Sequence, residues 1–215
     1  MSKKIVIIDY QLGNLFSVHQ ACSFLGYEAL ISSNAADLQN ADYAILPGVG
    51  AFADAMNNLK KMELDIAIKN YVHSGKPIMG ICLGQQLMLS RSEEFENVEG
   101  LGLIEGVVKK IPLQVIENQN FKVPQIQWNT IIKPIEKGWE NTPLKTCRSG
   151  DYFYFVHSYY TQLYNKEEIL ATTNYGNLNY CSAIHKNNIF TTQFHPEKSG
   201  EFGVEIYKNW IEYGT

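Results

Sequence analysis

The chain has 215 residues, 45% hydrophobic and 19% charged, with 18 Lys+Arg against 22 Asp+Glu for a formal net charge of −4. That composition suits a globular protein long enough to bury an adequate core without metal or disulfides, and its acidic balance argues against a nucleic-acid partner. The four cysteines, Cys22, Cys82, Cys147 and Cys181, lie tens of residues apart, which suggests neither a zinc site nor a disulfide framework and predicts free thiols in the cytoplasm.

The first apolar run, Ile5 to Ile8, stops at Asp9, far short of a signal-peptide core or a membrane span of about 20 residues. Its lack of alternation predicts a strand buried on both faces of a parallel sheet. A helix is expected next, with Asn14 as its cap, Leu15, Val18, Cys22 and Leu25 at helical spacing, and Gly26 as its stop. The cycle repeats with strands at Glu28–Ile31 and Tyr43–Leu46, helical patterns across Ala53–Val72, a strand at Pro77–Ile81 and a helix at Gln85–Leu89. Strands alternating with helices predict βαβ units. After about residue 100 the pattern becomes β-rich, at Gly106–Ile111, Gln125–Ile132, Tyr152–His157, Ile169–Thr173, Tyr180–His185 and Ile189–Phe194. These read as hairpins continuing or flanking the sheet, and Val204–Ile211 reads as a closing helix. No repeat or linker divides the chain, so residues 1–215 are expected to form one α/β domain with a flavodoxin-like, mostly parallel sheet.

Chemistry concentrates in three segments. Gly80-Ile81-Cys82-Leu83-Gly84 stands where an apolar strand gives way to a helix. A nucleophile bracketed by glycines at such a turn is an elbow, exposing one side chain at a helix N-terminus where thiolate is favoured and a neighbouring N–H can meet an oxyanion. A cysteine in an apolar stretch is more often an inert core residue, and the glycine bracket reverses that balance. Gln193-Phe194-His195-Pro196-Glu197 supplies a base and a carboxylate two residues apart. In an extended chain such residues point the same way, so Glu197 can orient a ring, and Pro196 can lock the backbone that holds His195. His19, His73, His157 and His185 show no metal-ligand spacing. Leu46-Pro47-Gly48-Val49-Gly50 is a glycine-rich turn at a strand end, able to aim N–H groups into a cleft but lacking the Lys-Ser/Thr of a phosphate loop.

Together these segments resemble the triad-type (class I) glutamine amidotransferases over nearly the whole chain. Gly13-Asn14-Leu15, Val123-Pro124, Trp128-Asn129 and Phe155-Val156-His157-Ser158-Tyr159 look most like the glutaminase subunits of imidazole glycerol phosphate synthase. The resemblance implies a flavodoxin-like fold with no metal or organic cofactor. It makes Cys82 the nucleophile on glutamine, His195 the general base and then acid, and Glu197 its orienter. It makes Leu83 and the Val49-Gly50 peptide oxyanion donors, idle until a partner binds, and it makes Gln86, Ser158 and Tyr159 contacts to glutamine. It also implies a (β/α)8 cyclase partner in a one-to-one heterodimer that makes imidazole glycerol phosphate and AICAR in histidine biosynthesis, with Asn14, Gln125, Gln127, Trp128 and Lys198 near the interface.

Two departures stand out. Gln125 and Gln127 replace the family's usual histidine and glycine, and Gln11 stands where glycine is common. Gln125 and Gln127 leave room for a sugar-aminating synthase as partner. A non-catalytic docking subunit and a stand-alone amidase are the remaining alternatives, disfavoured by the intact triad and by the glutamine-contact positions.

Overall fold

The computed structural model describes residues 3–116, 119–134 and 138–213. Its first half follows the expected alternation: β1 (Ile5–Ile8), α1 (Leu15–Phe24), β2 (Ala29–Ser32), α2 (Ala35–Asn40), β3 (Tyr43–Gly48), α3 (Phe52–Lys61), α4 (Leu64–His73), β4 (Ile78–Cys82) and α5 (Leu83–Leu87). The second half is mostly strands: β5 (Leu89–Ser92), β6 (Val98–Glu99), β7 (Ile104–Lys110), β8 (Gln114–Ile116), β9 (Gln119–Phe121), β10 (Gln125–Thr130), β11 (Tyr152–His157), β12 (Tyr159–Leu163), β13 (Ile169–Tyr175), β14 (Leu178–Lys186) and β15 (Ile189–Thr192). The long helix α6 (Gly200–Tyr213) follows.

Five strands form the parallel core in the order β2-β1-β3-β4-β15. That is the 2-1-3-4-5 succession of a flavodoxin-like sheet, whose ligands gather at the carboxyl ends of the strands. The sheet continues through β14, β12, β7, β5 and β6, with β13 pairing to β14, while β10–β11 and β8–β9 form two separate hairpins. Hairpins therefore both continue and flank the sheet.

Strand alternation divides the core between two faces. Ile5, Ile7, Tyr43, Ile45, Met79 and Ile81 pack with α1 and α6 through Val18, Cys22, Ile206, Tyr207 and Trp210. Val6, Ile8, Ala44, Leu46 and Ile78 pack on the opposite face with α2, α3 and α4 through Leu38, Phe52, Met56, Leu59 and Ile68.

Several element boundaries differ from expectation. Asn14 stands at the N-cap of α1 but its side chain makes no cap bond, whereas Asn34, not singled out from sequence, caps α2 by accepting from Ala36 N at 2.8 Å. The helical pattern Ala53–Val72 is broken by Glu63 at φ 57° into α3 and α4. The expected helix Gln85–Leu89 instead begins at Leu83 and ends at Leu87, and Leu89 opens β5. Gln11 has φ 71°, a region that favours glycine, which is the physical reason for the family's usual residue there.

Candidate active site

β4 delivers Cys82 to the carboxyl edge of the sheet and α5 starts at the next residue. Cys82 sits at φ 55°, ψ −109°, a conformation that a non-glycine residue holds only under strain from its surroundings. The turn needs its glycines for close approach: a Cβ on Gly84 would overlap the Leu46 carbonyl oxygen, and one on Gly48 would overlap the Tyr10 hydroxyl.

His195 arrives from the neighbouring strand β15. The segment after it is a single 3-10 turn, Pro196–Lys198, rather than extended chain, so the two-residue pairing comes from the turn and not from strand alternation. His195 Nδ1 lies 2.7 Å from Glu197 Oε1, with side-chain exposures of 2% and 1%. A carboxylate oxygen only accepts, so Nδ1 carries the proton and Nε2 is left for the thiol. The backbone is pinned on both sides, His195 N donating to Tyr154 O at 2.9 Å and Ser199 Oγ donating to His195 O at 2.7 Å. Burial alone pulls the ring's pKa down, but the charge and hydrogen bond of Cys82, and then those of Glu197, outweigh it and push the pKa up to about 10. Both neighbours therefore favour the protonated ring.

Cys82, Leu83, Val49, Gly50, Gln86, Ser158 and Tyr159 line one cleft of about 290 Å³ together with Glu94, Pro124, Val156 and His157. Gln86 is buried at 5% exposure, which excludes a solvent-facing role. Its Nε2 donates to Tyr159 O and to Gln193 Oε1, both at 2.9 Å. Leu83 is the first residue of α5, where the N–H has no intrahelical partner. The Val49 N–H is committed elsewhere, donating to Leu12 O at 3.3 Å.

Residues 6–212 match the family model of the class-I glutamine amidotransferases. The chain belongs to that family. Among its relatives is the imidazole glycerol phosphate synthase subunit HisH of Listeria innocua, 46% identical over 97% of this chain and 95% of the relative. The HisH subunit of Chlorobaculum tepidum is 41% identical over 97% of this chain and all of the relative. A structure of PurLQS from Thermotoga maritima shares the fold, with a TM-score of 0.73, 18% identity and 99% of both chains covered.

Two residues of this amidotransferase, Gln193 buried behind the cleft and Glu94 in its wall, carried no role in the sequence reading. Gln193 Nε2 donates to Cys82 Sγ at 3.6 Å, so one carboxamide bridges the thiol and Gln86. Glu94 is buried at the cleft wall, its Oε2 accepting from Phe52 N at 2.6 Å. His157 donates from Nδ1 to Tyr159 O at 2.8 Å, and burial first of all lowers its pKa to about 4, so it stays neutral. Among the described residues no group of three His, Cys, Asp or Glu is arranged to hold a metal ion, and no helix is long and apolar enough to cross a membrane.

The expected interface residues divide. Trp128 is 51% exposed, and Gln127 and Lys198 are exposed while Asn14 is partly so. Gln125 is fully buried and accepts a hydrogen bond from the Tyr180 hydroxyl at 3.0 Å. It cannot meet a partner. Gln127 alternates with Trp128 along β10 and projects from the opposite face of the hairpin, so neither glutamine shares the Trp128 face.

Proposed function

We propose that this chain is the glutaminase subunit of an imidazole glycerol phosphate synthase: one amidotransferase domain spanning residues 1–215 that hydrolyses glutamine and passes ammonia to a (β/α)8 cyclase bound one-to-one. The observation that carries the reading is the buried His195–Glu197 pair after β15 beside the Cys82 elbow at the end of the neighbouring β4, in a chain that matches HisH subunits over 97% of its length.

In this reading the Cys82 thiolate attacks the side-chain amide carbon of glutamine. The imidazolium of His195 gives its Nε2 proton to the departing nitrogen, so ammonia leaves and a γ-glutamyl thioester remains. Neutral His195 then takes a proton from water, the resulting hydroxide attacks the thioester, and glutamate is released as Cys82 and His195 regain their charges. Glu197 orients the ring. Leu83 N–H and a donor from the Val49-Gly50 turn meet the oxyanion. Gln86, Ser158 and Tyr159 hold the amino-acid end, and Glu94, a carboxylate in the same wall, suits the substrate's ammonium.

Two variants test the proton chemistry. His195→Ala is expected to slow hydrolysis by about 10²–10⁴-fold, and Glu197→Ala by less, because His195 moves protons whereas Glu197 holds and charges it. A raised folded pKa also makes a stability statement. The imidazolium's contribution is complete below histidine's ordinary value of 6.5 and is lost as pH rises toward about 10. Wild-type melting temperature should therefore fall more steeply than that of His195→Ala across this window, and parallel curves would remove the charged pair.

The partner face is supported by the hairpin. Ile126, Trp128 and Tyr152 are 59%, 51% and 62% exposed. They share a face that runs, through Val156 opposite Ile126, into the cleft wall. With Gln125 buried and Gln127 turned away, the two departures place no burden on it. The cognate cyclase is expected to co-elute one-to-one by light scattering and to make imidazole glycerol phosphate from glutamine. A cyclase that neither binds nor stimulates, alongside a sugar-aminating synthase that does both, would reassign the pathway while leaving the glutaminase intact.

A further inference from the structure

Glu197 uses only one of its two carboxylate oxygens. Oε1 takes the His195 proton at 2.7 Å, while Oε2 is buried with no hydrogen-bond partner. The same region holds a complementary orphan: the hydroxyl of Tyr207, on α6, is buried at 0% exposure and also without a partner. Buried polar atoms left unpaired are uncommon and costly, and here an unmet acceptor and an unmet donor occur together.

The packing brings the two elements together. α6 lies tightly on the turn carrying Glu197, because a Cβ on Gly203 would overlap the Pro196 carbonyl oxygen and crowd Ser199. Tyr207 is four residues after Gly203, on the same helix face. Its environment is set first by burial and then by the negative charge of Glu197, both of which keep the phenol protonated and hence a donor.

We propose that Tyr207 is a positioning residue for the triad, its phenol donating to Glu197 Oε2 directly after a small ring adjustment or through one bridging water. This rests on the glutaminase reading above. Fixing Oε2 stops the carboxylate from rotating about its bond and keeps Oε1 in line with His195 Nδ1. Donation to Oε2 also withdraws negative charge from the carboxylate and so moderates its hold on the imidazolium. The groups facing this pair are His195 on the same turn, Cys82 from β4, Cys22 from α1 and, beyond His195, His157 from β11.

The test compares Tyr207→Phe with wild type, each in complex with its synthase partner. Tyr207→Phe keeps the ring and its packing, so kcat for glutamine hydrolysis should fall about 3- to 10-fold with KM unchanged, since the substrate's own contacts are untouched. The limb of the pH profile governed by His195 should move to higher pH, and the low-field proton resonance of His195 Nδ1–H should shift. In a Glu197→Gln background, Tyr207→Phe should add nothing, because its route to the reaction runs through Glu197. Wild-type kcat, pH profile and resonance in Tyr207→Phe would overturn the proposal, as would an equal loss in the Glu197→Gln background. If Tyr207→Phe does not fold, Tyr207→Trp or 3-fluorotyrosine at this position reads the same resonance, and a position indifferent to phenol acidity also overturns it. Failure of the wild-type complex to hydrolyse glutamine would instead sink the glutaminase reading, and the resonance would still report whether the phenol reaches Glu197.

Discussion

Cys82→Ala is expected to lower glutamine hydrolysis on the order of 10⁴- to 10⁶-fold, the scale seen when a covalent nucleophile is removed from an assembled triad. A glutamine-like diazo-ketone should add once to the wild-type chain, at Cys82, and not to the variant. Labelling at Cys147, the only cysteine of the four that is not buried, would place the nucleophile elsewhere. Geometry adds a second expectation. Cys82 holds φ 55°, and alanine inherits that strain while glycine does not. Cys82→Gly should thus be more stable than Cys82→Ala by about 1 kcal/mol, after allowing for the extra freedom glycine has in the unfolded chain. That corresponds to about 2–4 °C in melting temperature for a domain of this size. An order reversed between the two variants would show that the elbow is not strained. Both variants also strip His195 of the sulfur that raises its pKa, leaving burial to pull the ring back toward neutrality.

The elbow was legible in the sequence because its physics is local: glycines flank a nucleophile at a change of periodicity, and Gly80, Cys82 and Gly84 are close in the chain. The His195–Glu197 pair was legible for a weaker reason. Proximity in sequence predicted the contact, but the geometry inferred for it was extended, and Pro196 instead begins a 3-10 turn. What was not legible depends on pairings across the sheet. Gln193 and Gln86 meet across 107 positions, Gln125 and Tyr180 across 55, and nothing in either segment alone announces the partner. The same holds for Gln127, whose direction is set by the register of β10 against β11. Two short elements lacked an apolar signature: α2 buries only Leu38, and β5 is buried at its two ends alone, unlike the unbroken run of β1.

The isolated chain is expected to hydrolyse glutamine about 10²–10³-fold more slowly than the complex with its synthase partner and acceptor, the usual worth of one oxyanion donor. The reason is visible in the turn after β3, where the Val49 N–H donates to Leu12 O. To serve the oxyanion, the Gly48–Val49 peptide must turn over by about 180°, which changes ψ of Gly48 and φ of Val49 together. Gly48 accepts such a change freely. Val49 does not: it now has a negative φ, since it is not among the positive-φ residues, and the rotation drives a β-branched residue into positive φ at a cost of about 1–3 kcal/mol. On the proposed function, Val49 itself favours the idle state, and partner binding at the adjacent hairpin face is expected to supply the difference. Val49→Gly removes that cost. Hydrolysis by the isolated variant should rise by about 5- to 150-fold while the complex changes little, so the stimulation ratio shrinks. A Val49→Gly chain as slow as wild type would put the lock elsewhere, and an isolated wild-type chain already at full rate would identify a stand-alone amidase.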